Sequence, residues 1–173
     1  MPSIKFVPSA DASVVSTYSR QVLEGVLRDA GLESCVVTST VRSPERQAKA
    51  MYVNIEITGV QKQLQLYGPD GDAVIGEYVR LQGGHGKTAI LSAMTNMILA
   101  RGPGNVSRHC ADPSRLNVID IAPSSIANAP KFLAALDKAK QSALVSRFFS
   151  PENGDPAFHI EIPQPPTQSG STP

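Results

Sequence analysis

The stretch AFHIEIP, residues 157–163, alternates apolar and polar side chains in the way typical of a β-strand with one buried face. Phe158, Ile160 and Ile162 are expected to cover the core, while His159 and Glu161 take the opposite face. A histidine and a carboxylate on the non-core face of a strand are well placed to line a cleft. The segment therefore predicts a strand whose polar face, with His159 and Glu161, forms part of a functional site.

A second apolar segment, NVIDI at residues 117–121, predicts a buried strand that carries one acid, Asp120. An unpaired carboxylate is costly to desolvate, so a buried acid is normally hydrogen-bonded, ion-paired or bound to metal. His109, in the segment SRHC, offers a second imidazole besides His159. Two imidazoles, one carboxylate and a water form a catalytic zinc site with an open position, and this donor set suits zinc best.

Each of these residues also has an ordinary structural interpretation. His109 could be a surface loop residue, His159 a hydrogen-bonded strand residue and Asp120 the partner of an arginine. The sequence contains no HExxH motif, and spacing alone favours this interpretation. On that view the chain is a soluble structural protein without a metal.

The order of predicted elements indicates an α+β fold. Apolar residues at helical spacing predict a helix from about Asp11 to Asp29 that stops at Gly31, and a strand follows at 34–41. Ser43, Pro44 and Glu45 predict a helix start. Further helices are predicted around 74–79, after a turn at 68–71, around 89–98 and from Pro130 onward, and further strands at 117–121, 144–149 and 157–162. Helices come first and strands later, which favours α+β over alternating βαβ units.

The composition is that of one soluble domain, predicted to span residues 1–163, with a disordered Pro/Ser/Thr-rich tail at 164–173. The net charge of +1 predicts no strong attraction to nucleic acid or to an anionic membrane. No apolar run approaches the roughly 20 residues needed to span a bilayer. The start of the sequence lacks the features of a secretory signal, which predicts synthesis in the cytoplasm and transport by other means to any external substrate.

The remaining reactive residues are given minor roles. Cys35 and Cys110 could form one disulfide; otherwise both are interpreted as packing residues, with metal ligation by Cys110 the less favoured alternative. The segment GGHGKT, residues 83–88, is not a phosphate-binding loop, because Leu81 stands where that motif needs a glycine. His85 is interpreted as a solvated loop residue outside the site.

Three segments, TSTVRSPERQ (38–47), SRHC followed by NVIDI (107–121) and FHIEI (158–162), together resemble a known family. In this order they are similar to the D-Ala-D-Ala metallopeptidase and L-alanoyl-D-glutamate endopeptidase superfamily, which shares its fold with the hedgehog signalling domain. The resemblance implies a small antiparallel sheet flanked by helices, with Zn²⁺ held by His109, Asp120 and His159.

The resemblance also assigns roles to other residues. It makes Arg42 a substrate contact near the scissile bond, with a structural salt bridge as the alternative, and makes Ser107 a supporting hydrogen-bonding residue. The chain departs from the family because Asp120 follows His109 by a longer gap than usual. It departs again because Pro156 stands where members have the general base. The base is therefore reassigned to Glu152 first and Asp155 second, and Glu161 is the third alternative.

The implied function is zinc-dependent hydrolysis of a peptide bond involving a D-amino acid in peptidoglycan stem peptides. The enzyme would be a carboxypeptidase or an endopeptidase that acts in the periplasm or cell wall. Without a signal, it suits an endolysin released by a holin or a bacteriolytic effector delivered by an injection apparatus. The alternative is a catalytically inactive metal-binding recognition module on the same fold.

Overall fold

The computed structural model describes residues 1–166, and residues 167–173 of the predicted tail lie outside the described part. It is an α+β protein with seven α-helices and a five-stranded mixed sheet within those residues. Within the described residues the chain forms two compact units, one made of residues 1–41 and 112–166 and the other of residues 42–111. None of the helices in residues 1–166 is long and apolar enough to cross a membrane.

The first unit is built on the sheet. Its elements are β1 (Ser3–Phe6), α1 (Thr17–Asp29), β2 (Ser34–Ser39), β3 (Leu116–Ile121), α7 (Ala129–Gln141), β4 (Arg147–Phe149) and β5 (Phe158–Pro163). The strand order is β1-β2-β3-β5-β4. The pairs β2–β3, β3–β5 and β4–β5 are antiparallel, but β1 pairs with β2 in parallel. The expectation of a purely antiparallel sheet is therefore corrected to a mixed one, because the unpredicted strand β1 adds a parallel edge.

The core of the first unit lies between the sheet and the helices α1 and α7. Phe158, Ile160 and Ile162 belong to it, as the alternation in AFHIEIP predicts. Phe132 of α7 meets Phe158 edge-on, with ring centroids 5.1 Å apart. His159 and Glu161 occupy the other face of β5, and they too are buried. The face of β5 that carries His159 and Glu161 is therefore buried.

The second unit is helical. It contains α2 (Pro44–Thr58), α3 (Val60–Leu64), α4 (Pro69–Leu81), α5 (Lys87–Arg101) and α6 (Pro103–Val106). The predicted start of α2 is confirmed, because Ser43 is its N-cap and the Ser43 hydroxyl accepts a hydrogen bond from the backbone N–H of Arg46. The unit has its own apolar core, formed by residues of α2, α4, α5 and α6 such as Met51, Ile75 and Met94.

Several boundaries differ from the predictions; β4, for example, begins at Arg147 rather than at residue 144. Two other differences have a local physical reason. The first helix starts at Thr17 rather than near Asp11, because the Ser16 hydroxyl caps it and residues 12–14 form a separate 3₁₀ turn. The segment 68–71, expected to be a turn, instead begins α4, since Pro69 occupies its first turn. The structure also places Gln164, counted with the tail in the prediction, against Ser16 and Ser19 of the first unit.

Candidate metal centre

Asp120 and His159 are cross-strand neighbours. They lie directly opposite each other in the antiparallel pair of β3 and β5, so their side chains share one face of the sheet. The Nδ1 atom of His159 is 3.0 Å from Oδ1 of Asp120, and both residues are buried. The register of the two strands therefore produces the contact that the separate sequence motifs could only suggest.

Glu161 lies on the other side of the His159 ring. Its Oε1 atom is 3.4 Å from Nε2 of His159, and the residue is only 3% exposed. Two residues along a strand return to the same face, which explains why His159 and Glu161 meet. The imidazole is thus held between two buried carboxylates, one at each ring nitrogen.

The pKa of His159 reflects this arrangement. Burial disfavours the charged imidazolium, but hydrogen bonds to Asp120 and Glu161 and the negative charges of Asp120 and Asp155 outweigh it. Together they raise the pKa of His159 to about 9. In the metal-free protein the ring is therefore an imidazolium at neutral pH, and it neutralises part of the surrounding negative charge.

His109 lies in the 3₁₀ turn Arg108–Cys110, which precedes β3 in the chain. The turn follows Ser107, whose carbonyl accepts a hydrogen bond from the backbone N–H of Cys110. The carbonyl of His109 accepts another from the backbone N–H of Arg42, at 2.7 Å. These bonds fix the backbone on either side of a buried imidazole.

His109, Asp120 and His159 are each buried, and their donor atoms are of a kind that could hold a metal ion. Two imidazole nitrogens and one carboxylate oxygen fit a zinc site that leaves a position for water or substrate. If Nδ1 of His159 faces the metal beside Asp120, its Nε2–H donates to Glu161, which is the usual support of a metal-bound histidine.

Arg42 stands at the start of the second unit, just before α2. Its guanidinium Nη1 donates to Oε1 of Gln47, at 3.3 Å, and Nε2 of Gln47 donates to the hydroxyl of Tyr67, at 3.2 Å. Gln47 is fully buried in α2, so this side-chain network is shielded from water. The network was not predicted, because nothing in the sequence links Tyr67 with α2.

The two proposed bases differ in their surroundings. Glu152 is exposed in the 3₁₀ turn Pro151–Asn153. Asp155 is half-buried in the loop before β5, and its Oδ1 accepts a hydrogen bond from the backbone N–H of Ala157 at 2.9 Å. Asp155 also lies close enough to His159 for its charge to raise the pKa of the imidazole. In the sequence, Glu152 and Asp155 differ only in position within this loop; in the structure, Asp155 has in addition an electrostatic interaction with His159.

The cysteines and His85 stay outside this group in the described residues. Cys35 and Cys110 are both free thiols rather than a disulfide. Burial raises the pKa of Cys35 to about 12, and burial, opposed by the charge of Arg42, raises that of Cys110 to about 11. Both are therefore thiols at neutral pH. His85 is exposed in the loop between α4 and α5.

Comparison of the chain with protein-family models, with curated proteins and with solved structures finds no match.

Proposed function

We propose that the chain is a zinc metallopeptidase that hydrolyses a peptide bond involving a D-amino acid in peptidoglycan stem peptides. The observation that carries the proposal is the buried contact of Asp120 with His159 on neighbouring strands, and His109 is the third proposed ligand. These three residues are the ones that the resemblance to the D-Ala-D-Ala metallopeptidase and hedgehog-fold superfamily marks as zinc ligands. The donor set and the ordered motifs therefore support the same chemistry.

The residues around the group have complementary tasks in this proposal. A zinc ion held by the three ligands supplies a water of pKa about 7 and a Lewis acid for the carbonyl. In this proposal Asp155, half-buried in the loop before β5, is the general base, and the exposed Glu152 in the same loop is the alternative. Arg42, steadied by Gln47, binds the carbonyl or a carboxylate of the substrate next to the scissile bond. Ser107 supports the turn that presents His109.

Metal content of the purified protein, measured by mass spectrometry, tests the centre. About one zinc per chain is expected, with loss in His109→Ala and His159→Ala because each variant removes one of three ligands. His85→Ala is the matched control, since His85 is exposed and lies outside the group. Absence of bound zinc after reconstitution overturns the proposal.

Release of fragments from purified peptidoglycan tests the activity and the base. Asp155→Asn should retain zinc but lower kcat by about 10²–10⁴-fold, the usual contribution of a general base. Glu152→Gln should leave kcat nearly unchanged; the reverse pattern would assign the base to Glu152.

One observation favours a second candidate, a metal-binding recognition module without activity. Pro156 occupies the position three residues before His159 where the similar family has its base. A zinc-loaded protein that binds stem peptides but releases no fragment from any peptidoglycan would support this candidate over the enzyme.

A further inference from the structure

The edge strand β4 carries two side chains beside the proposed metal centre that have no role in it. Phe149 lies directly opposite His159 in the antiparallel pair of β4 and β5, and Arg147 lies opposite Glu161. Opposed residues share a face of the sheet. Phe149 and Arg147 therefore stand on the same face as His159 and Glu161, one strand further toward the edge.

Phe149 is in contact with a proposed metal ligand and is open to solvent. Its ring centroid is 5.8 Å from that of His159, with the rings inclined at 44°. The residue is nevertheless 38% exposed, while the neighbouring Phe148 turns to the other face and packs against the core. An aromatic side chain left partly in water next to a buried reactive group is a common feature of ligand sites.

The side chain of Arg147, two residues before Phe149 on β4, lies over the ring of Phe149. Its guanidinium carbon lies 5.2 Å from the centroid of Phe149, in the range of a cation–π contact. Arg147 is exposed, and within residues 1–166 no carboxylate lies at ion-pair distance from it. The cation is therefore held in place by an aromatic ring while its hydrogen-bond donors remain available.

We propose that Arg147 and Phe149 form a substrate subsite for an acidic peptide. The guanidinium of Arg147 binds a substrate carboxylate, and the ring of Phe149 takes the aliphatic part of the same residue. The inference rests on the proposed function and deepens it, because it names the class of substrate: stem peptides that keep a free carboxylate near the scissile bond. Peptides in which that carboxylate is a carboxamide are the disfavoured class.

The chemistry favours a carboxylate over other partners. A guanidinium offers two parallel N–H donors that match the two oxygens of a carboxylate, and a carboxamide can accept only one of those bonds. A guanidinium already stacked on a ring has lost part of its rotational freedom, so less entropy is lost on binding. The subsite should therefore discriminate by charge and geometry together.

The test uses two synthetic peptides that differ at one group. One is L-alanyl-γ-D-glutamyl-L-lysine amide, and the other has the D-glutamate α-carboxylate replaced by a carboxamide. Zinc-loaded wild type, Arg147→Gln and Arg147→Lys are compared by steady-state kinetics and by calorimetric binding. Lys140→Gln is the matched control, because Lys140 lies over the ring of Phe148, on the opposite face of the same strand.

The expected result is a preference of wild type for the acidic peptide of about tenfold or more, the size of one charged hydrogen bond. Arg147→Gln should abolish it through KM and Kd, Arg147→Lys should restore part of it, and Lys140→Gln should retain it. Zinc content should be equal in all four proteins. Equal use of both peptides by wild type, or an unchanged preference in Arg147→Gln, overturns the subsite while leaving the metallopeptidase intact.

Failure of the proposed function gives a different pattern. If wild type cleaves neither peptide, the binding measurement alone decides the subsite. Tighter binding of the acidic peptide that depends on Arg147 would then support acidic-peptide recognition without hydrolysis. Equal binding of both peptides would overturn the subsite as well.

Discussion

The side chain of His159 is held at both ring nitrogens, because Asp120 contacts Nδ1 and Glu161 contacts Nε2. We expect the metal-free protein to show a His159 pKa near 9 in an NMR titration of its three histidines. Asp120→Asn should lower that pKa, because it removes a carboxylate that favours the imidazolium. A His159 pKa near 6.5 in the folded metal-free protein would contradict the arrangement.

The raised pKa of His159 also predicts how the free energy of unfolding of the metal-free protein depends on pH. The pKa of His159 is raised from 6.5 in the unfolded chain to about 9 in the folded one, so the folded protein binds the proton more tightly. Its stabilising contribution is fully present below pH 6.5 and is lost as the pH rises through about 9. Urea unfolding of metal-free protein at pH 6, 8 and 9.5 checks the sign, with Asp120→Asn expected to flatten the profile.

Glu161 makes a separate prediction about metal affinity. Replacing Glu161 by Gln keeps the size of the side chain but removes the charged acceptor at Nε2 of His159. Carboxylates in this position typically account for 10–100-fold in metal affinity, and we expect a loss of about that size in competition with a chelator. Glu152→Gln, an exposed carboxylate change in the same unit, should bind zinc like wild type. Equal zinc affinities of the two variants would show that Glu161 does not support His159 as a metal ligand.

Helix α4 contains a matched pair of glycines, Gly71 and Gly76. A Cβ on Gly71 would lie 2.5 Å from Cβ of Tyr67, whereas a Cβ on Gly76 would meet nothing within 4 Å. Gly71→Ala should therefore destabilise the protein by about 1–3 kcal/mol through overpacking. Gly76→Ala should stabilise it by about 0.5–1 kcal/mol, because alanine is the better helix former.

The comparison of the two alanine variants by urea unfolding also reports on Arg42. Tyr67 is the hydrogen-bond partner of Gln47, which in turn holds the guanidinium of Arg42. Displacement of Tyr67 in Gly71→Ala should raise KM for peptide substrates, while Gly76→Ala should leave it unchanged. Equal stability of the two variants would contradict the close approach of Tyr67 and α4.

The sequence predicted the elements whose ends have a local chemical signal. Ser43 and Pro44 marked the start of α2, and Gly31, with a φ of 68°, ends the first helix as expected. The strand β1 was missed because the alternation of polar and apolar side chains in Ser3–Phe6 extends over only four residues, the shortest stretch that indicates a strand. Its pairing with β2 is set by contacts distant in sequence, which local patterns do not encode.

The part of the candidate centre that depends on local sequence patterns was predicted, and the part that depends on strand pairing was not. Alternation placed His159 and Glu161 on one face, and the buried position of Asp120 followed from its apolar neighbours. The direct opposition of Asp120 and His159 depends on strand register, which only the folded sheet defines. The same register brings Phe149 to His159, and neither strand alone contained a signal for that contact.

The predicted domain over residues 1–163 contains two compact units with separate cores. The first unit joins segments from both ends of the sequence, and the second is one continuous helical stretch. The composition of the sequence does not change at residues 41 or 112, because both units are equally rich in apolar residues. The chain divides into these units because β2 and β3, which flank the helical stretch in the sequence, pair with each other in the sheet of the first unit.

Zinc binding should stabilise the whole folded chain. The three proposed ligands are widely separated in the sequence, so the unfolded chain does not present them together, and zinc binds the folded state preferentially. At a free zinc concentration of about 1,000 times Kd, the gain is about 4 kcal/mol, and thermal unfolding monitored by circular dichroism should show a higher Tm with zinc than with EDTA. The increase should be smaller at pH 6 than at pH 8, because zinc must displace the proton of His159 at both values and protons are more abundant at pH 6. His159→Ala should abolish the increase, and His85→Ala should retain it; an equal Tm with zinc and with EDTA in wild type would contradict the metal centre.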